Sequence, residues 1–180
     1  WVLSLALGIA FFPLTQILFR EFTDRGYLFA KVLGIGVTGY VFWALVCAGI
    51  MPFRAAFGWV TAAACAGLVW LGVWAWKRRR AGAALSGKTE KETPGRHPGT
   101  DWGLILMEEL LFLFFFLMWT YFSGFRPEAS GTEKFMDYGF MASMMRSDTL
   151  PSADIWYSQS PINYYYGGQY YAVYLTKLSF

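Results

Sequence analysis

Glu133 and Asp137 are the residues of this chain best suited to chemistry. They stand four apart in GTEKFMDYGFMASMMRS, a stretch whose apolar spacing predicts a short helix. On such a helix they share a face with Phe140, Met141 and Met144, while Ala142 and Arg146 lie opposite. A solvated helix would set its acids beside Arg146, so this arrangement turns the carboxylates toward the membrane or an internal cavity. A pair so placed can serve as a general base or hold a divalent cation such as magnesium or manganese. The plainer alternative keeps Glu133 in the first helical turn, where its charge suits the helix dipole, and pairs Asp137 with Lys134 or solvent.

A second group follows in PSADIWYSQSP and INYYYGGQYYAVY. Asp154, two residues before Trp156, can hold sugar hydroxyls or simply cap a turn. Asn163 precedes Tyr164, Tyr165 and Tyr166, and Tyr166, Tyr170 and Tyr174 recur every fourth residue, a stripe on one helical face if Gly167 and Gly168 do not break it. The ordinary reading of that stripe is an aromatic belt at a membrane interface. Lys177 either points into a polar cavity, where it could meet an anionic lipid head group, or marks a span that begins further on. The single histidine, His97, falls in a basic linker, so the spans offer no imidazole to ligate haem or chlorophyll. GIGVTG at 34–39 matches the dinucleotide fingerprint formally. It lies inside an apolar run, where close helix packing through small residues is the better reading.

The elements that must position these residues are membrane spans. Hydrophobic residues make up 56% of the 180 and charged ones only 15%, and the mean hydropathy is +0.36, outside the range of ordinary soluble domains. A spanning helix needs about 20 mainly apolar residues. Runs 1–19, 27–51, 58–76 and 102–122 meet or approach that length, with Pro13 tolerated as a kink, and a fifth span starts near 169. The expectation is an all-α, multi-pass transmembrane protein of four full spans plus the start of a fifth. Three helices occupy 1–76, a basic linker 77–101, the fourth helix 102–122, and 123–168 forms a loop carrying a short juxtamembrane helix, with 169–180 opening the fifth. The chain begins at Trp1 and ends in an apolar segment, which suggests a piece of a longer protein.

Charge supplies orientation. Lys77, Arg78, Arg79, Arg80, Lys88, Lys91 and Arg96 crowd the linker, and Arg20, Arg25 and Lys31 lie two crossings earlier. The positive-inside rule therefore makes 77–101 cytoplasmic and 123–168 external, in a plasma membrane. The net charge of +3 is small and does not indicate a nucleic-acid partner. Cys47 and Cys65 lie in apolar runs and read as small buried hydrophobes. Glu108 and Glu109 stand within the fourth span, where a carboxylate needs a partner or a cavity, and Lys31 is a conceivable partner.

In order and spacing, GTEKFMDYGFM, RSDTLPSADIW and INYYYGGQYYAVYLTKL resemble the signature of the Chlor_Arch_YYY membrane proteins, and DRGYLFAKVLGIGVTGYVFWAL and EELLFLFFF resemble that family's N-terminal spans. The likeness covers nearly the whole chain. Ile155 departs from it where the family tends to have proline, as does Gly167 where it has an aromatic, and the family's members are much longer. The resemblance implies a distant relation to the GT-C glycosyltransferases, which take a sugar from a polyprenyl-phosphate lipid and keep an acid in the first large external loop. Carried over, it makes Glu133 and Asp137 catalytic and gives Asp154 a part in binding metal or acceptor. Tyr164, Tyr165 and Tyr166 would line a sugar site with Trp156 and Asn163, and Arg146 or Lys177 would meet the carrier phosphate. Any metal would rest on Glu133, Asp137 and Asp154. The expected function is glycosyl transfer at the outer leaflet; the alternative is a non-catalytic subunit whose aromatic faces pack against membrane protein partners.

Overall fold

The computed structural model describes residues 1–85, 99–125, 128, 131 and 133–179, and nothing of Lys88, Lys91, Arg96 or His97. Among these residues the regular elements are six helices: α1 Val2–Leu18, α2 Tyr27–Cys47, α3 Ala55–Leu85, α4 Trp102–Gly124, α5 Lys134–Arg146 and α6 Gly167–Ser179. A single antiparallel bridge joins Ala153 to Pro161. Among the described residues three helices are long and apolar enough to cross a membrane: Tyr27–Cys47, Ala55–Gly82 and Trp102–Gly124. The sequence suggested four. The helix at the N-terminus has 17 residues, about 26 Å at 1.5 Å per residue against a hydrocarbon core of about 30 Å. α3 also runs past Trp76, because lysine, arginine and alanine are strong helix formers and the basic cluster does not break it.

The turns between helices follow from local chemistry. Asp24 accepts the backbone N–H of Tyr27 at 2.8 Å through its side chain, which starts α2. Gly26 has φ +70, and a Cβ there would strike the Phe19 ring. α2 ends in a two-bond motif, with Ile50 N–H on Leu45 O at 3.0 Å and Gly49 N–H on Val46 O at 2.9 Å. Gly49 supplies the left-handed conformation this ending requires, at φ +71. Asp101 accepts the Leu104 N–H at 3.0 Å and starts α4.

The chain divides into two compact units, residues 1–35 with 64–118 and residues 36–63 with 119–180. In the first, Leu7 and Phe11 on α1 and Ala30 on α2 are buried. Gly34 sets α2 directly on α1, since a Cβ there would stand 2.8 Å from the Leu7 carbonyl oxygen. Lys31 and Glu109 form a buried ion pair, 5% and 13% exposed. Glu109 also accepts Tyr27 Oη at 2.6 Å and Trp1 Nε1 at 2.7 Å. The depth of this carboxylate in the helix is therefore met by three donors.

The second unit is built around an aromatic core. Phe42, Phe53, Tyr170 and Tyr174 are at most 2% exposed and touch in sequence, with ring centroids 5.6–6.0 Å apart. The tyrosine stripe is therefore core, not the interfacial belt that its spacing suggested. Tyr170 Oη donates to Gly39 O at 2.7 Å, Tyr171 Oη to Gly36 O at 2.8 Å and Tyr174 Oη to Thr38 Oγ1 at 2.9 Å. Gly36 and Gly39 each offer a helix carbonyl oxygen whose second lone pair takes a tyrosine hydroxyl. Close packing accounts for Gly34 and Gly39, while a Cβ at Gly36 would meet no atom within 4 Å.

Candidate functional site

α5 and the segment after it carry the sequence-predicted site residues. Phe140 and Met144 on α5 are 2% and 0% exposed, and Asp137 stands half-buried on the same face, as the spacing indicated. Its Oδ1 accepts the side-chain amide of Gln169 on α6 at 2.6 Å. The other amide atom of Gln169, Oε1, is buried without a hydrogen-bond partner among the described residues. Glu133, expected on the same face, is instead exposed at the N-cap position and makes no side-chain cap bond, so the two acids do not share a buried face.

The opposite face of α5 forms one wall of a groove of about 790 Å³, where Tyr138, Gly139, Ser143 and Arg146 meet Ile155 and Trp156. This groove brings Arg146 together with Trp156, and among the described residues no carboxylate lines it. Phe140 touches Trp156 edge-on and lies tilted against Tyr164, both at 5.7 Å. Asn163, Tyr164 and Tyr165 line a smaller depression of about 320 Å³, and Tyr165 is 91% exposed. Tyr166 accepts Trp43 Nε1 at 3.1 Å.

Two of the named residues are occupied by local structure. Asp154 Oδ1 accepts the backbone N–H groups of Trp156 at 2.8 Å and Tyr157 at 3.1 Å, which is turn capping. Lys177 Nζ donates to Phe53 O at 3.0 Å and Met145 O at 3.1 Å and stands 4.6 Å from the Phe53 ring centre. Among the described residues no group of three or more His, Cys, Asp or Glu is placed to hold a metal ion. Glu133, Asp137 and Asp154 thus do not make a ligand set, and no step is derived through a metal.

Sequence reasoning missed Gln169, Arg54 and Ser152. Gln169 was legible only as a polar residue opening a helix; nothing in its neighbours names Asp137 as its partner. Arg54 Nε and Nη2 grip both oxygens of Asp148 at 2.9 and 2.5 Å. That guanidinium holds the Asp148 carboxyl below the ordinary carboxylate value. Ser152, 1% exposed, accepts Ile162 N–H through its carbonyl at 2.9 Å and so closes the loop that carries Asp154 and Trp156.

What this arrangement can do is hold one carboxylate in a fixed position against a side-chain amide, and separately offer a guanidinium in a groove with aromatic rings. Residues 37–180 match the family described as uncharacterized membrane protein, DUF2298. No curated protein and no solved structure matches the chain.

Proposed function

The chain belongs to that uncharacterized membrane protein family, and on this premise we propose that it is a GT-C-like glycosyltransferase drawing on a polyprenyl-phosphate-linked sugar at the outer leaflet. The observation that carries the reading is Asp137, half-buried and fixed by Gln169 at 2.6 Å three residues beyond the tyrosine run. A general base must be held in position and partly screened from water. In the reaction, Asp137 takes the proton of an acceptor hydroxyl as that oxygen bonds to the anomeric carbon. The bond from that carbon to the carrier phosphate breaks, the phosphate leaves with the electron pair, and the configuration inverts. Asn163, Tyr164 and Tyr165 line the sugar.

Arg146 lies on the face of α5 away from Asp137. In this reading it holds a remote part of a substrate in the Trp156 groove and does not touch the leaving phosphate. Lys177, with two carbonyls on its ammonium, is a support for α5. The likeness to the Chlor_Arch_YYY proteins, with the distant relation it implies to GT-C glycosyltransferases that keep an acid in the first large external loop, supports the same assignment of Asp137, and the basic linker supports an external position for α5.

A second reading, a structural subunit, is favoured by α4, of whose most apolar window only 6% is buried. One experiment separates the two. Membranes containing the protein are supplied with a polyprenyl-phosphate sugar labelled in the sugar, and native mass spectrometry is run on the gently extracted protein. Label in a new product and a retained polyprenyl phosphate support the transferase. Bulk phospholipid alone, with partner chains in fixed ratio and no product, supports the subunit.

A further inference from the structure

We propose that a cleft in the first unit, between the end of α1 and the end of α3, binds a phosphate-bearing anion, the head group of an anionic phospholipid. The cleft measures about 560 Å³, and Arg20, Arg25, Lys77 and Arg80 line it with Trp76 and Thr100. Among the described residues no carboxylate lines it. The Arg20 guanidinium stands 4.7 Å from the Trp76 ring centre and the Arg80 guanidinium 4.4 Å, so one indole holds both. Arg25 Nη1 donates to Arg20 O at 2.6 Å, which ties the α1–α2 turn to the cleft.

Like charges gathered on one ring repel each other, and an anion between them relieves that repulsion. Guanidinium groups give a phosphate oxygen paired donors, and Lys77 adds a point charge. The rest of the lining favours a lipid over a free ion. Pro13 and Ile17 supply an apolar wall beside the cations, and Arg80 lies in the last turn of the Ala55–Gly82 candidate span, where a head group would sit. An acyl chain can follow the apolar wall while its phosphate meets the arginines. This site is independent of Asp137 and of any transferase activity.

The test uses the full chain in nanodiscs and native mass spectrometry. Discs of phosphatidylcholine doped with phosphatidic acid or phosphatidylglycerol are compared with discs of phosphatidylcholine alone, and inorganic phosphate and pyrophosphate are added separately. The expected result is retention of one anionic lipid at low dose, with about fivefold weaker retention for Lys77→Gln. For R20Q/K77Q/R80Q the loss is on the order of 100-fold, each cation contributing at the level known for basic residues near a membrane surface. Lys77 is exposed, so its single variant reports binding even if the triple variant fails to fold. Displacement of the lipid by millimolar pyrophosphate, with binding of pyrophosphate in discs free of anionic lipid, assigns the same cleft to a soluble phosphate. Equal retention of zwitterionic and anionic lipid by the wild type, unmoved by either phosphate, overturns the proposal.

Discussion

Gln169 donates its side-chain amide to Asp137 at 2.6 Å and thereby joins α6 to the acid on the buried side of α5. Replacing Gln169 with leucine removes the side-chain donor that Asp137 has among the described residues. The variant should lose about 1–3 kcal/mol of stability, read as a lower midpoint in thermal unfolding of the detergent-solubilised protein. An unchanged midpoint would mean that solvent already satisfies Asp137.

Lys31 and Glu109 should behave as a pair. Removing one partner, as in Lys31→Met, leaves a buried charge and should cost about 3–5 kcal/mol, whereas the double variant K31M/E109L should be less damaging than either single change. Thermal midpoints of the three proteins decide this. A double variant as unstable as the sum of the singles would contradict a paired, desolvated site.

Gly39 and Gly36 lie one turn apart on α2 and should respond oppositely to alanine. A Cβ at Gly39 runs into the Tyr171 ring, while at Gly36 it meets no atom within 4 Å. Gly39→Ala should cost about 1–3 kcal/mol by overpacking, and Gly36→Ala should be neutral or stabilise by up to about 1 kcal/mol through helix propensity. Equal melting temperatures for the two variants would show that the tyrosine rings are not held against α2.

The Arg54 and Asp148 pair gives a dependence on acid. Asp148 titrates below its ordinary value of 3.8 because the Arg54 guanidinium bonds its charged form. A depressed folded value means the stabilisation is complete above the ordinary value and disappears as pH falls through the lower, folded one. The stability difference between wild type and Arg54→Met should therefore be flat at neutral pH and shrink once pH drops below the ordinary carboxylate range. A difference that persists at the lowest pH would remove the ion pair as its cause.

Periodicity made several of these features legible and hid others. The spacing that grouped Glu133 and Asp137 with Phe140 and Met144 holds for Asp137 but not for the exposed Glu133, and the cost of a carboxylate in a span made Lys31 a conceivable partner for Glu108 or Glu109, of which it pairs with Glu109. Periodicity names a face but not what covers it, so Tyr170 and Tyr174 read as a belt although they bond to Thr38 and Gly39 more than 130 residues earlier. The same limit hid Gln169. The basic run 77–80 read as the start of a linker, but as a set of strong helix formers it extends α3 past Trp76. Asp154 was open to two readings, and its geometry is that of a turn cap.

The most direct test of the transferase reading is Asp137→Asn, which keeps the size of the side chain and removes the base. Membranes bearing wild type and variant are supplied with labelled polyprenyl-phosphate sugar, beside an Asp154→Asn control, and thermal midpoints are recorded for each. The account predicts that the variant loses transfer by about 10²–10⁴-fold, the usual contribution of a general base, with its midpoint close to that of wild type. Transfer at the wild-type rate in Asp137→Asn would contradict it.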